Sequence, residues 1–351
     1  MAICDYVRLP GLVDVHVHLR TPGGEHKEDV RTGTAAALAG GFTTILAMPN
    51  TQPPLVTLAD FRAAQQHADT QALCDVTHFA AASADHTAAL AALGREAVGL
   101  KIYMDQTYGP LRVEGLLTLM SCFRNWPTGK MIAVHAEDAN IAVAIGLAAA
   151  FRRPVHICHV SRKAEIQLIA KAKEQGLPVT CEVTPHHLFL TEADAARLGP
   201  LGDMRPRLGT QEDVDALWAH VDSTVDCIAT DHAPHTLAEK QSATPPPGVP
   251  GLETALPLML TAVVEGRLGL DRLVELMDTN PRRIYGLPAQ SDTWIEVDIG
   301  TTWIIGDQGL QTKCGWSPFS GMAVQGSVHR VQLRGRTVYC EGRTSSVGSP
   351  A

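Results

Sequence analysis

Short apolar runs recur along the chain, with room for a helix between most neighbouring pairs. They are GLVDVHV (11–17), TTILAM (43–48), VTHFAAA (76–82), VGLKIYM (98–104), MIAVH (131–135), VHICH (155–159), PVTCEV (178–183) and DCIATD (226–231). Between them lie Ala-rich or charged stretches with helical spacing, such as VRTGTAAALAGG, SRKAEIQLIAKAKEQG and TQEDVDALWAHV. Several end in the glycine that commonly follows a helix. Continuous apolar strands alternating with helices imply a parallel sheet covered on its outer face. Eight such units favour a (β/α)8 barrel of the TIM type over an open doubly wound sheet. The lack of a GxGxxG after the first run points the same way.

Polar residues inside these runs gather at their C-terminal ends. In LVDVHVHLR (12–20) the alternating Val13, Val15 and Val17 predict a strand, yet two imidazoles stand among them. His16 and His18 are two apart, so they share a strand face and are aimed together. Asn50 follows the second run and Lys101 lies in the fourth. His135 ends the fifth, His159 the sixth, Glu182 the seventh and Asp231 the eighth. That rim is where barrels of this kind place their chemistry, with several strands contributing at once. Singly, each residue has a bland reading: a chance HxH, a hydrogen-bonded core histidine, a snorkelling or Schiff-base lysine. Together they would be costly to bury without a shared partner, and a metal is the economical one.

Four histidines and an aspartate suit zinc. Lys101 fits only if it is neutral, which burial and nearby metal charge favour. A neutral amine adds CO2 to give a carbamate, an anion able to bridge two metals. The expectation is therefore a binuclear zinc centre. His16, His18 and Asp231 hold one ion, His135 and His159 hold the other, and carboxylated Lys101 spans both, with a hydroxide between them as nucleophile.

Composition narrows the partners. At 351 residues the chain can bury a sizeable core. Its 45% apolar and 19% charged content reads as soluble and globular. A net charge of −8 argues against nucleic acid or an anionic membrane as the main partner. IAVAIGLAAAF (141–151) is too short to span a bilayer, and MAICDYVRLPG lacks the pattern of a signal peptide. Eight cysteines without a CxxC pair suit reduced thiols in the cytoplasm.

HVHLR, AMPNT (47–51), GLKIYM, VHAED (134–138), HICHVSR (156–162), CEVTPHHL (181–188) and ATDHAPH (229–235) together resemble the dihydroorotases of the amidohydrolase superfamily. Within that family they are most similar to the dihydroorotase domain of the animal-type multifunctional protein that also carries carbamoyl-phosphate synthetase and aspartate transcarbamylase. The resemblance implies reversible cyclisation of N-carbamoyl-L-aspartate to L-dihydroorotate in de novo pyrimidine biosynthesis. It also implies a homodimer, linkage to those other domains in one chain, and a small β-extension built from both chain ends. Residues 1–10 and 289–343 are expected to form that extension around a catalytic barrel at 11–288. SSVGSPA suggests a linker-like tail at 344–351.

The resemblance adds a third zinc on Cys158, Glu182 and a bridging His16. The residues alone leave Cys158 as an inert thiol and Glu182 as a group that merely orients a ligand. Arg20 is expected to grip the unreactive substrate carboxylate as a planar fork, with Asn50 donating to the same group. Arg205 in DMRPRLG and His235 match further substrate-contacting positions. Thr107 and Tyr108 in MDQTYGPL (104–111) would close as a lid, although Phe is the family expectation at position 108. Gly248 in TPPPGVPGLET (244–254) would offer its backbone to the ring. Asp231 would move the proton between the nucleophile and the departing nitrogen. Rivals are a dihydropyrimidinase or hydantoinase, whose substrates lack the carboxylate, a catalytically inactive scaffold relative, and a Schiff-base aldolase built on Lys101.

Overall fold

Each of the eight apolar runs forms a strand in the computed structural model, which describes residues 6–306 and 309–344. The strands are Leu12–Val17, Phe42–Ala47, Asp75–His78 continued as Ala80–Ala81, Gly99–Tyr103, Met131–His135, Val155–Ile157, Val179–Val183 and Cys227–Ile228. Neighbours in sequence pair in parallel throughout. The ring closes where the eighth run meets the first. Val17 bridges His232 in parallel, and the His18 N–H donates to the His232 carbonyl at 2.8 Å. Closure removes both sheet edges, and helices on the outside cover what would otherwise be an exposed apolar wall. The expected barrel is the observed one.

The strands are buried on both faces for different reasons. Val13, Val15, Leu46, Phe79, Ala133, Cys227 and Ala229 fill the barrel interior. Leu12, Val17, Phe42, Ile45, Leu100, Ile102 and Ile132 pack outward against helices such as Val30–Ala39 and Lys163–Glu174. The former helix starts at Asp29, whose side chain accepts from the Thr32 N–H, and stops at Gly40.

The first strand breaks its own alternation. Val13 faces Thr44 and Asp14 faces Ile45, but Val17 faces Ala47, so three steps on one strand match two on the other. This bulge shifts the phase. Val15 and His16, though adjacent, both reach the barrel interior, and His18 follows His16. The two histidines are aimed together as expected, but on the face that Val13 and Val15 occupy lower in the barrel. Asp14 holds the irregularity, its carboxylate accepting from His16 N (3.1 Å), Thr230 N (3.2 Å) and the Thr230 hydroxyl (2.5 Å).

Beside the barrel lies an antiparallel five-stranded sheet, ordered Tyr6–Pro10, Trp294–Ile304, Ala323–Leu333, Arg336–Cys340, Arg343–Thr344. It joins both ends of the chain, as expected of the β-extension, and packs on the helix Leu252–Val264 through Leu260, which contacts Gly326. Buried Glu28 ties that side to the barrel by accepting from the Thr312 hydroxyl and from Lys313 N. Residues 1–5 and all but Thr344 of the expected tail lie outside the described residues. No helix among the described residues is long and apolar enough to cross a membrane.

Candidate active site

The strand ends deliver their polar groups to one place. His16 Nε2 and His18 Nε2 stand 3.2 and 3.1 Å from the same Asp231 oxygen, Oδ1. His135 Nδ1 and His159 Nε2 face one another at 2.9 Å. Lys101, fully buried, hydrogen-bonds Cys158 Sγ at 3.0 Å and approaches His16 Nε2 at 3.5 Å. The second nitrogen of His16, Nδ1, meets Glu182 Oε1 at 2.5 Å. Two ligand sets therefore share His16: His16, His18 and Asp231 on one side, His16, Cys158 and Glu182 on the other. His159 and Asp231, with Arg20, have left-handed backbone (φ 35°, 45° and 61°). Such strain in non-glycine residues concentrates where function over-determines the chain.

The charge pattern fits a bound cation. Burial would raise Asp231, but His16 beside it holds its carboxyl well below the usual range. Burial drops His18 to about 4 and, with His135 beside it, takes His159 well below its ordinary value. Both rings are thus neutral near pH 7, the state in which imidazole offers a lone pair to a metal. His18 Nδ1 faces Asn50 Oδ1 at 2.7 Å, which places the ring proton there and leaves Nε2 open toward Asp231. Two buried nitrogens, His135 Nε2 and His159 Nδ1, have no hydrogen-bond partner, although Glu137 Oε1 lies 3.3 Å from the former. Imidazole nitrogens gathered within hydrogen-bond distance, orphaned ring nitrogens and a carboxylate shared by two imidazoles are what a metal centre requires of its donors.

Above this floor opens a narrow cleft lined by His16, His18, Arg20, Asn50, Tyr103, Thr107, Tyr108, His135, His159, Arg205, Asp231 and Gly248. Every substrate-contacting residue expected from sequence lines it except His235, which lies just behind, 3.0 Å from Arg20. Lys101, Cys158 and Glu182 lie fully buried. Arg205 is braced by Asp203 and the Met204 carbonyl. Gly248 has φ 132°, and a Cβ there would fall 2.6 Å from the Ala233 carbonyl, so its backbone can approach the cleft only as glycine. A larger groove, lined by Leu73, Asp75, Arg334 and Arg336, sits near the start of the third strand and gathers no comparable set of ligands.

Sequence reasoning missed four supporting groups. Asp14 was readable, as a charge two and four residues before the paired histidines. His156 was readable as the other histidine of HICH; its Nε2 meets Glu182 Oε2 at 3.0 Å. Tyr103 lines the cleft with a buried hydroxyl that has no partner, and its signal was its place two residues after Lys101 on one strand. Lys27 gave no signal, since its partners lie far along the chain.

Candidate metal ligands at the C-terminal rim of a closed parallel barrel are the arrangement that metal-dependent hydrolases built on this fold use. Comparison with known proteins narrows this. A family model described as dihydro-orotase-like matches residues 6–89. The dihydroorotase of Pyrococcus furiosus is 34% identical over 373 residues, covering 98% of this chain and 84% of its own. The multifunctional protein CAD of Squalus acanthias is 51% identical over 338 residues, 96% of this chain. The chain belongs to the dihydroorotase family. It spans about 15% of the length of the multifunctional relatives it matches. Among solved structures, an L-hydantoinase (dihydropyrimidinase) from Arthrobacter aurescens superposes with a TM-score of 0.89 at 26% identity, over 96% of this chain and 86% of that one. An inactive dihydroorotase-like domain of a Chaetomium thermophilum CAD-like multifunctional protein gives 0.81 at 27%, covering 97% of each chain.

Proposed function

We propose that this chain is the dihydroorotase module of a longer cytoplasmic protein that also carries carbamoyl-phosphate synthetase and aspartate transcarbamylase, and that it interconverts N-carbamoyl-L-aspartate and L-dihydroorotate. One observation carries the reading: a donor-rich floor and an Arg20–Asn50 wall meet in a single cleft. In this reading His16, His18 and Asp231 would hold one zinc and His135 and His159 a second, with carboxylated Lys101 as a ligand to both. Cys158, Glu182 and His16 Nδ1 suit a third. Bound there, zinc supplies Lewis-acid polarisation of the amide carbonyl and an acidified water.

The chain's own groups do the rest. Asp231, ionised at neutral pH, takes a proton during ring opening and returns it to the departing ring nitrogen. In ring closure it accepts the proton of the carbamoyl nitrogen. The Arg20 fork pairs with the unreactive carboxylate. Asn50, its Oδ1 committed to His18, turns its amide N–H toward the same anion. Arg205, His235 and the Gly248 backbone flank the ring, while Thr107 and Tyr108 cover it. Residues 11–288 form the catalytic unit, the described residues of 1–10 and 289–343 form the extension, which Thr344 joins as the end of its last strand, and two copies associate as a homodimer.

The likeness to an inactive relative favours a second reading, a scaffold without turnover, and the hydantoinase likeness favours a substrate lacking the carboxylate. Zinc analysis coupled to assays of dihydroorotate and dihydrouracil decides among them. Ring opening and closure of the former, lost on chelation and restored by zinc, is expected. Turnover of dihydrouracil alone, or of neither, would refute the assignment. Native mass spectrometry should find Lys101 heavier by one carbon dioxide, and an unmodified lysine in active protein would remove the carbamate.

A further inference from the structure

Lys27 stands in GGEHKEDV, between the rim residue Arg20 and the helix Val30–Ala39. The metal chemistry gives it no part. Its side chain is only 6% exposed, and its ammonium has three partners: Glu239 Oε1 at 3.0 Å, His235 Nδ1 at 3.2 Å and Tyr108 Oη at 3.0 Å. Three partners match the three N–H donors of an ammonium. Two of them are fixed. Glu239 is held by Thr236 N at 3.0 Å, and His235, fully buried, is pinned through its carbonyl by Trp316 Nε1 at 2.7 Å.

The third partner sits on the loop 104–111. That loop is anchored at its root, where Asp105 accepts from Glu137 N (2.7 Å) and Asn140 Nδ2 (2.8 Å). At its tip Tyr108 crosses the cleft, its ring edge-on to His235 with centroids 5.1 Å apart and 4.6 Å from the Lys27 nitrogen. His235 is also shared. Its Nε2 lies 3.1 Å from the Pro247 carbonyl and 3.0 Å from Arg20. A neutral imidazole can accept at only one nitrogen. With Lys27 donating to Nδ1, the Nε2 proton goes to Pro247, and Arg20, its Nε held by the Pro234 carbonyl at 3.1 Å, keeps its two terminal nitrogens for an anion.

We propose that Lys27 is a positioning residue that joins the two loops framing the cleft. Through Tyr108 it latches the loop 104–111 closed, and through the tautomer of His235 it holds the loop 244–254 and frees Arg20 for the substrate carboxylate. The proposal rests on the dihydroorotase reading for its kinetic consequences but not for the latch itself. It also gives the Tyr108 hydroxyl, which a Phe would lack, a specific partner.

The test uses the zinc-loaded chain with Y108F, K27M and the double variant. Amide hydrogen exchange of residues 104–111 is read without ligand, and KM and kcat with dihydroorotate. Y108F should speed exchange of the loop and raise KM about five- to tenfold, roughly one partly exposed hydrogen bond to a charged donor, with kcat changing less than KM. K27M should do both and also lower kcat, and the double variant should exchange no faster than K27M alone. Unchanged loop exchange in Y108F, or additive effects in the double variant, would overturn the latch. Should K27M fail to fold, K27Q replaces it and the Y108F arm stands by itself. A parent chain without turnover would defeat the function proposed above, while the exchange data would still judge the latch.

Discussion

Asp231 sits 3.1–3.2 Å from two imidazole nitrogens and is drawn well below the usual carboxylate range by His16. The two duties proposed for it, binding a cation and moving a proton, can be separated by an isostere. Asp231→Asn keeps an oxygen toward the histidines but cannot accept the proton. Turnover should fall by about 10²–10⁴, the usual worth of general acid–base catalysis, while zinc content by elemental analysis stays near that of the parent. Near-parent activity would remove Asp231 from the proton path. At this scale the cluster of candidate ligands was legible because its members occur in short strings, HVH, HICH and TDH, at the ends of apolar runs. The groups that aim them were less so. Asp14 and Tyr103 share strands with ligands and left a faint signal. Lys27 left none, because its partners are Tyr108 and His235, brought near only by the closed barrel.

Since a strand buried on both faces must be continuously apolar, the apolar runs located the first seven strands to within a residue or two; they overshot the end of the eighth by three. Pairing irregularities were not visible. The bulge between Asp14 and Val17 re-aims His16 without changing the hydrophobic pattern, and the third run is interrupted at Phe79. Asp14→Ala should cost about 2–4 kcal/mol by leaving two backbone N–H groups buried and unpaired. It should also weaken zinc binding, since His16 would lose its register. Denaturant unfolding with and without zinc measures both, and zinc affinity unaltered in the variant would mean that the bulge holds without its carboxylate. Between helices, Gly40 ends the first one where a Cβ would lie 2.0 Å from the Leu252 carbonyl. Gly40→Ala should therefore destabilise by about 2–4 kcal/mol, an overpacking cost. Its melting temperature should drop while activity per folded molecule is kept; an unshifted melting curve would show that the contact yields.

For the whole molecule the problem is how the outer sheet is held to the barrel. Its strands could be guessed from YVRL and VHRVQLRGRTVYC, and Ile295, Val297, Val328 and Val331 bury with the apolar residues outside the barrel wall. The polar ties beside that contact are long-range, so no local pattern announces them. Two carboxylates make them. Glu28 accepts from Thr312 and Lys313, and Glu253, on the first turn of the helix Leu252–Val264, accepts from Gln311 N at 2.8 Å and Thr312 N at 3.0 Å. Burial pushes the Glu253 carboxyl up to about 7 from an ordinary 4.5, with Glu28 adding to the rise and the two N–H bonds resisting it. The folded chain thus binds this proton more tightly than the unfolded chain does. The benefit is fully present at low pH and is lost as pH rises from about 4.5 through 7. Glu253→Gln is uncharged at every pH and keeps an acceptor oxygen. It should be more stable than the parent near pH 8, by of the order of 2 kcal/mol, and no more stable near pH 5. Denaturant titrations of both proteins across that range would show the difference opening with pH. Parallel stability curves would mean that the carboxylate is already ionised in the fold, and that its two N–H donors outweigh its burial.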